Sequence, residues 1–293
     1  MDLTPNDDQI ALRTVTADWC RDNMPLEGAR ARAPDLWMQL DTMGWAGMTA
    51  PGMDLDHASE ALVFAELGRF LAPLALLPSA VAARWVGFAG KTALALPADG
   101  FVRLFDSNGA ARALGLFGDT AGHFAIGDVR SAPSLDLSTH VARTVPPSSI
   151  DRIDDPRAAL HLQLLAAAFA VGCADAARDM AADYAKMREQ FERPIGWFQA
   201  IKHLCADMAV RCAVARSQLY YAACALDAGD EAAFHVAAAK RLADQAALDN
   251  GRANIQIHGG IGMTDEAAPH LCLKRAHLLG FVAPARPDAL LAA

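Results

Sequence analysis

The chain has 293 residues, 53% hydrophobic and 20% charged, with a formal net charge of -8. That length supports one large or two modest apolar cores, and the composition excludes intrinsic disorder. The negative charge repels phosphate backbones and no run of Lys or Arg offers a local exception, so no nucleic-acid partner is expected. The opening stretch is acidic where a signal peptide would be basic, and no run of about 18 uncharged apolar residues is present; no membrane partner and a cytoplasmic location are expected. The six cysteines contain no CxxC pair and fall mostly on apolar helical stretches, which reads them as reduced core residues.

In chain order, the first ninety residues predict helices near 7–22, 35–43, 57–71 and 76–87, broken at Pro25, Pro34, Gly52 and Pro73. From about Lys91 to Ser149, short alternating runs (TALALP, FVRLF, HFAIGDV, HVARTV) split by Gly, Asp and Pro predict a small β domain. Asp154-Asp155-Pro156 then offers a cap and a first-turn proline to a helix of over thirty residues, with apolar residues recurring from Leu160 to Met187. That helix is expected to stop near Pro194. A second runs from about Trp197 to Ala228, ended by Gly229, and a third, capped by Asp230, reaches the pair Gly259-Gly260. A fourth, shorter helix starts near Thr264 or Asp265 and ends at Gly280, and the tail beyond it should be mostly irregular. The expected domains are a helical 1–90, a β segment 91–152 and an up-down four-helix bundle 153–293.

Two stretches carry candidate chemistry: MREQFERPIGWFQ (Met187 to Gln199), where the first two long helices meet, and IQIHGGIGMT (Ile255 to Thr264), at the end of the third. Arg188 is always charged and offers forked donors suited to a pyrophosphate, while Gly259 and Gly260 let a dinucleotide approach main-chain N–H groups. Gln199 and Gln256 can hydrogen-bond polar cofactor atoms, and Phe191 and Phe198 can wall an adenosine. Singly, each has a plain reading as a surface arginine, a helix stop or core rings. His258, His270 and His277 match no metal-ligand spacing, so no metal is expected, and Asp175 with Asp179 reads as a solvated helix face rather than an acid/base pair.

Together the two stretches resemble the acyl-CoA dehydrogenase C-terminal domain, with its hallmarks R-x-x-F-G-x-x-I-x-x-F-Q and Q-x-x-G-G-x-G. Trp37…Leu40…Gly44-Trp45 and Glu66 through Pro73 are similar to that family's opening helices. The resemblance implies a mainly α, acyl-CoA dehydrogenase-like fold: an N-terminal helical bundle, a reduced middle β domain and a C-terminal four-helix bundle. It also implies that Arg188, Gln190, Phe191, Phe198, Gln199, Gln256, Gly259 and Gly260 hold the adenine and pyrophosphate half of an FAD whose flavin lies in a neighbouring subunit.

In that family a glutamate takes the α-proton of the acyl thioester while hydride leaves the β-carbon for the flavin. Its usual place, after the glycine pair, reads Phe281-Val282-Ala283-Pro284 here; the place some relatives use, on the long helix before the arginine, reads Leu162-Gln163. Neither holds a carboxylate, and the family's T-E-P…G-S-D loop and W-I-T-like stretch do not occur between Lys91 and Ser149. No catalytic residue is therefore assigned. The resemblance implies the short, non-catalytic subunit of a steroid-degradation type of acyl-CoA dehydrogenase, an α2β2 hetero-oligomer completed by a catalytic acyl-CoA dehydrogenase subunit. Its substrate would be an acyl-CoA, with electron-transfer flavoprotein as the redox partner. Two alternatives stand beside it: a homo-oligomeric enzyme using Asp265 or Glu266 as base, and a non-enzymatic scaffold on the same fold. Charge weighs against the DNA-binding relatives known in the family.

Overall fold

Helix starts follow the capping chemistry of the sequence. In the computed structural model, which describes residues 4–229 and 231–291, the Gln9 amide donates to the Asn6 side chain at 2.8 Å and the Asn6 amide to the Gln9 side chain at 3.1 Å. This reciprocal cap opens α1 (Asp7–Asn23). Asp56 caps α3 (His57–Arg69) through the Ser59 amide at 2.7 Å, with α2 (Leu36–Thr42) before it and α4 (Leu76–Trp85) after it. All four helices lie within two residues of their expected bounds.

The middle segment folds into β1 (Thr92–Ala98), β2 (Phe101–Phe105), β3 (Arg112–Phe117), β4 (Thr120–Ala125), β5 (Arg130–Ala132), β6 (Val141–Thr144) and β7 (Asp151–Arg152). They make one sheet in the order β5-β6-β2-β1-β3-β4-β7, antiparallel except for the β1–β3 pair. Four runs were expected and seven strands form. The strand β3 escaped because Gly115 and Gly118 read as turn signals, although Gly115 is in register with Ala95 inside the parallel pair. The run HFAIGDV stops pairing at Ala125. Alternation sends Leu94, Phe105 and Leu114 to the main core, and Ala95, Val102, Leu104 and Phe124 to a small cluster on the opposite face.

The C-terminal bundle consists of α5 (Arg157–Met187), α6 (Gln199–Ala228), α7 (Ala232–His258) and α8 (Pro269–Leu279). The Asp155 carboxylate accepts the Arg157 amide at 2.9 Å, but Pro156, expected at the first helical position, stands at the cap position just before the helix starts at Arg157. Helix α5 is central, packed against α6, α7, α8 and α3, and buried on every side from His161 to Ala177. It is the one described helix long and apolar enough to cross a membrane, and 89% of its most apolar window is covered by the rest of the fold. Its crossing with α3 is close: a Cβ on Gly172 would stand 2.1 Å from the Ala65 carbonyl oxygen.

Several boundaries differ from expectation. Helix α5 ends at Met187, not near Pro194, and the chain turns through a hairpin, β8 (Glu189–Gln190) and β9 (Arg193–Pro194). Gly229 ends α6 in the left-handed conformation (φ 79°), as expected, whereas the proposed cap Asp230 lies outside the described residues. Helix α8 starts at Pro269 rather than Thr264 or Asp265, because residues 259–263 tighten into a 3-10 turn. The tail carries a short helix, α9 (Pro287–Leu291). Asp175 and Asp179 are not a solvated face: Asp175 is buried and paired with Arg178 at 2.9 Å and with Arg216, and Asp179 pairs with Arg178 and Arg69. On a helix buried all round, a carboxylate needs such partners. All six cysteines are free, and burial pushes the thiols of Cys20, Cys212 and Cys272 up to about 12, which keeps them protonated.

Candidate cofactor site

The Tyr184 and His258 rings stack with centroids 4.1 Å apart, tying the last turn of α5 to the last residue of α7. That contact brings both candidate stretches to one end of the bundle. His258 Nδ1 faces the Asn254 carbonyl at 2.9 Å; a carbonyl only accepts, so Nδ1 carries the hydrogen. Burial lowers the His258 pKa, with the Asn254 hydrogen bond opposing, so the imidazole stays neutral.

Arg188 closes α5: its amide donates to the Tyr184 carbonyl and its carbonyl accepts from Ile195, each at 2.8 Å. Phe191 and Glu192 form the hairpin loop with φ of 53° and 64°, the left-handed pair that two-residue hairpins favour. Neither is glycine, although Glu192 stands where the family pattern has one. The Phe191 ring is 82% exposed and meets Phe198 edge-on at 6.1 Å. Gln190, Gln199 and Gln256 are exposed. Gly259 (φ 66°, ψ -145°) holds a conformation that side chains resist, and no atom lies within 4 Å of where a Cβ on Gly259 or Gly260 would stand. Among the described residues no carboxylate pairs with Arg188. An open glycine turn, an exposed Phe191 ring beside the half-buried Phe198 and an unpaired guanidinium are what the diphosphate and adenine of a dinucleotide require. The residues present fit that half of an FAD.

The opposite end of α5 differs in character. Leu162 and Ala283, the two positions where the family's base would stand, line one cavity of about 630 Å³ together with Leu94, Leu116 and Phe281. Gln163 Nε2 donates to the carbonyls of Ala283 and Pro284 at 3.0 and 2.9 Å and so holds that turn. The carboxylate that does border the cavity, Asp119, is 70% exposed and paired with Arg286. From Leu162 to Tyr184 the helix climbs about 33 Å at 1.5 Å per residue. Asp265 and Glu266 share a cleft with Tyr184 and His258 at the far end. Arg30 donates to Asp265 at 2.6 Å, and that bond holds its carboxyl below the usual range. Neither residue is placed to act in the Leu162 cavity.

One cluster escaped the sequence. Ligand-type atoms of the buried residues His57, Glu60 and His161 lie within 4.8 Å of one another. Trp85 Nε1, which can only donate, reaches His161 Nδ1 at 3.1 Å, so the His161 hydrogen sits on Nε2 and is donated to Glu60 at 2.7 Å. The nitrogen facing Glu60 thus carries a proton rather than a free lone pair, so His161 and Glu60 form a hydrogen-bonded pair, while His57 bonds Asp227 through Nδ1 and its buried Nε2 has no partner among the described residues. His57 and Glu60 sit three apart on α3, but His161 is a hundred positions away, and only the fold joins them.

The fold and the α5 end define a flavin-dependent oxidoreductase. Residues 6–89 match the acyl-CoA dehydrogenase N-terminal domain and residues 158–282 the acyl-CoA dehydrogenase C-terminal domain. Acyl-CoA dehydrogenase IpdE2 of Mycolicibacterium smegmatis is 32% identical over 259 residues, which cover 83% of this chain and 82% of that protein. The chain belongs to the acyl-CoA dehydrogenase family, whose cofactor is FAD. Among solved structures, the ChsE4-ChsE5 complex from Mycobacterium tuberculosis shares the fold with a TM-score of 0.76 at 22% identity, over 96% of this chain and 94% of that one. A variant of the Tcur3481-Tcur3483 steroid ACAD does so with a TM-score of 0.78 at 20% identity, over 98% and 96%.

Proposed function

We propose that this chain is the non-catalytic half of a heteromeric acyl-CoA dehydrogenase, holding the adenine and pyrophosphate of an FAD whose flavin and base belong to a catalytic partner subunit. The observation that carries this is the asymmetry of α5: an unpaired Arg188 beside an open glycine turn at one end, and Leu162 with Ala283 in place of a base at the other. FAD, when bound, supplies the hydride acceptor for α,β-desaturation of an acyl-CoA. This chain's part is binding. The Arg188 fork would pair with the pyrophosphate, the amides at Gly259 and Gly260 would donate to it, Phe191 and Phe198 would wall the adenine, and Gln190, Gln199 and Gln256 would meet polar atoms. Stacked on Tyr184, His258 sets the glycine turn at the same end of the bundle as the arginine.

Two structures that share this fold are of paired proteins, which supports an α2β2 assembly, and one of them is a steroid ACAD, which supports a steroid-type acyl-CoA as substrate. Electron-transfer flavoprotein would then reoxidise the flavin. Co-expression with a full-length homologue should give a yellow, active complex; a colourless, inactive mixture with no complex on sizing would sink the proposal. In the assembled complex, Arg188→Ala should weaken FAD retention about tenfold to a hundredfold, the loss of a charge-assisted hydrogen bond. Unchanged flavin affinity would remove Arg188 from the site.

A further inference from the structure

The strands β2, β6 and β5 set three arginines in a row. Arg103 is in register with Arg143, and Arg143 with Arg130, so all three leave the same face of the sheet. The Phe101 ring lies 5.2 Å from the Arg103 guanidinium carbon and 4.7 Å from that of Arg143, which holds the two charges side by side. Like charges directly opposite on neighbouring strands destabilise a sheet. All three arginines are exposed, and among the described residues none is paired with a carboxylate. Arg21, Arg157 and Arg286, exposed as well, each hold an aspartate.

Neighbouring groups do not relieve the row. Lys274 and His277 of α8 border a crevice of about 200 Å³ together with Arg103 and Arg143. Asp136 borders it too, but its side chain is buried and engaged by Arg275 at 2.5 Å and by Ser138. Leu135 and Phe281, 71% and 73% exposed, stand at the same crevice. Arginines with exposed apolar and aromatic side chains around a small pocket are the composition of a protein-binding anchor. The net charge of -8 opposes docking on an anionic bilayer.

We propose that this arginine row selects the catalytic partner subunit: it takes an acidic segment of the partner, with an apolar side chain of that segment between Leu135 and Phe281, and turns away a second copy of this chain. The inference rests on the shared FAD site proposed for Arg188. If the Arg188 end of one chain works at the flavin pocket of another, the neighbour's matching end lies over the Leu162 cavity, which Arg103 also borders. What arrives beside Arg103 is then the neighbour's counterpart of residues 187–202. In a second copy of this chain that segment carries Arg188, Arg193 and Lys202 against Glu189 and Glu192, three cations to two carboxylates, all of them exposed. Like charges juxtaposed across an interface suppress the wrong partner. An acidic counterpart is favoured instead, because guanidinium forks pair with carboxylates through two parallel hydrogen bonds. The sheet stability lost to the row in the free chain is recovered in the mixed complex alone.

The test measures association of this chain with its full-length homologue by sedimentation of the two purified subunits in the presence of FAD. Arg103→Glu with Arg143→Glu should weaken association at least about tenfold, the loss of charge-assisted pairing. The same variant should gain self-association, because its own cationic Arg188 end then meets carboxylates. Wild-type association should weaken as NaCl rises from about 50 to about 500 mM, and that of Arg103→Gln with Arg143→Gln should respond less. As a control on folding, the glutamine pair relieves like-charge opposition, so its melting temperature should hold or rise. Association indifferent to both arginine variants overturns the proposal, as does wild-type self-association that the glutamine pair abolishes. Arginine-dependent pelleting of the free chain with phosphatidylserine vesicles also overturns it, since a lipid surface would then be the occupant. Two wild-type subunits that never associate would overturn the shared site and this inference together. Association that ignores the arginine row while flavin retention still depends on Arg188 overturns this inference alone.

Discussion

His161 has no exposed surface, and its two ring nitrogens are committed to Trp85 and Glu60. Burial lowers its pKa, with the Glu60 carboxylate pulling upward and the neighbours His57 and Arg84 pushing further down. A histidine depressed in the folded state contributes stability that is fully present above its unfolded pKa, about 6.5, and is lost as pH falls through the folded value. Thermal stability should therefore decline as pH drops below about 6.5, and His161→Gln should flatten that part of the profile. A mutant profile parallel to the wild type would place the titration elsewhere. Glu192 makes a second residue-scale case: a side chain held at φ 64° costs about 1 kcal/mol. Glu192→Gly should raise stability by about 0.5–1 kcal/mol in urea unfolding, part of the gain being offset by a looser unfolded chain. A loss of stability would mean that the glutamate side chain contributes more than its backbone costs.

Between elements, the strongest polar tie is Arg275 on α8, which donates to Asp136 at 2.5 Å, the Ser138 hydroxyl at 3.0 Å and the Ala72 carbonyl at 2.8 Å. It joins α8 to the β5–β6 loop and to the turn between α3 and α4. Burial alone would raise the Asp136 carboxyl, but the Arg275 charge and the hydrogen bonds outweigh it and hold the pKa below the ordinary value. Removing one partner of a buried pair strands the other, so Asp136→Asn should cost about 3–5 kcal/mol, and Asp136→Leu with Arg275→Met should recover most of it. The depressed pKa sets the sign: the deficit of Asp136→Asn should be full above about pH 4 and shrink as pH falls through the folded value. Equal deficits in the single and double variants would show that packing, not charge, ties these elements. The sequence spelled out the helices through local chemistry: Asn6, Asp56 and Gly229 act within a turn of where they stand. It did not spell out the sheet. The glycine-bearing β3 and the glycine-free hairpin at Phe191-Glu192 both contradict local turn rules, and the sheet order that sets β6 between β5 and β2 has no local signal. Arg188 and Gly259 were legible as motifs, yet their placement at one end of the bundle follows from the Tyr184–His258 stack, set by two helices whose lengths had to match.

Over the whole molecule, α5 separates two halves of a flavin enzyme's work by about 33 Å, too far for one chain to apply its Arg188 end to its own Leu162 cavity. On the proposed role of Arg188, its site would therefore borrow a flavin pocket from another chain. In the proposed assembly with a catalytic partner, each Arg188 end would meet a pocket that carries a base, and each partner's matching end would meet a pocket lined by Leu162 and Ala283 instead. Only the first kind of site would be complete. The native complex should accordingly hold about one FAD per two chains, measured as flavin released on denaturation against subunit content. One FAD per chain would mean that the Leu162 cavity holds flavin after all, and would overturn the division of labour. Asp265→Asn with Glu266→Gln decides the remaining alternative. Since both lie at the Tyr184 end and Asp265 is neutralised by Arg30, turnover of the complex should stay within about twofold, far from the 10²–10⁴-fold that removal of a general base removes.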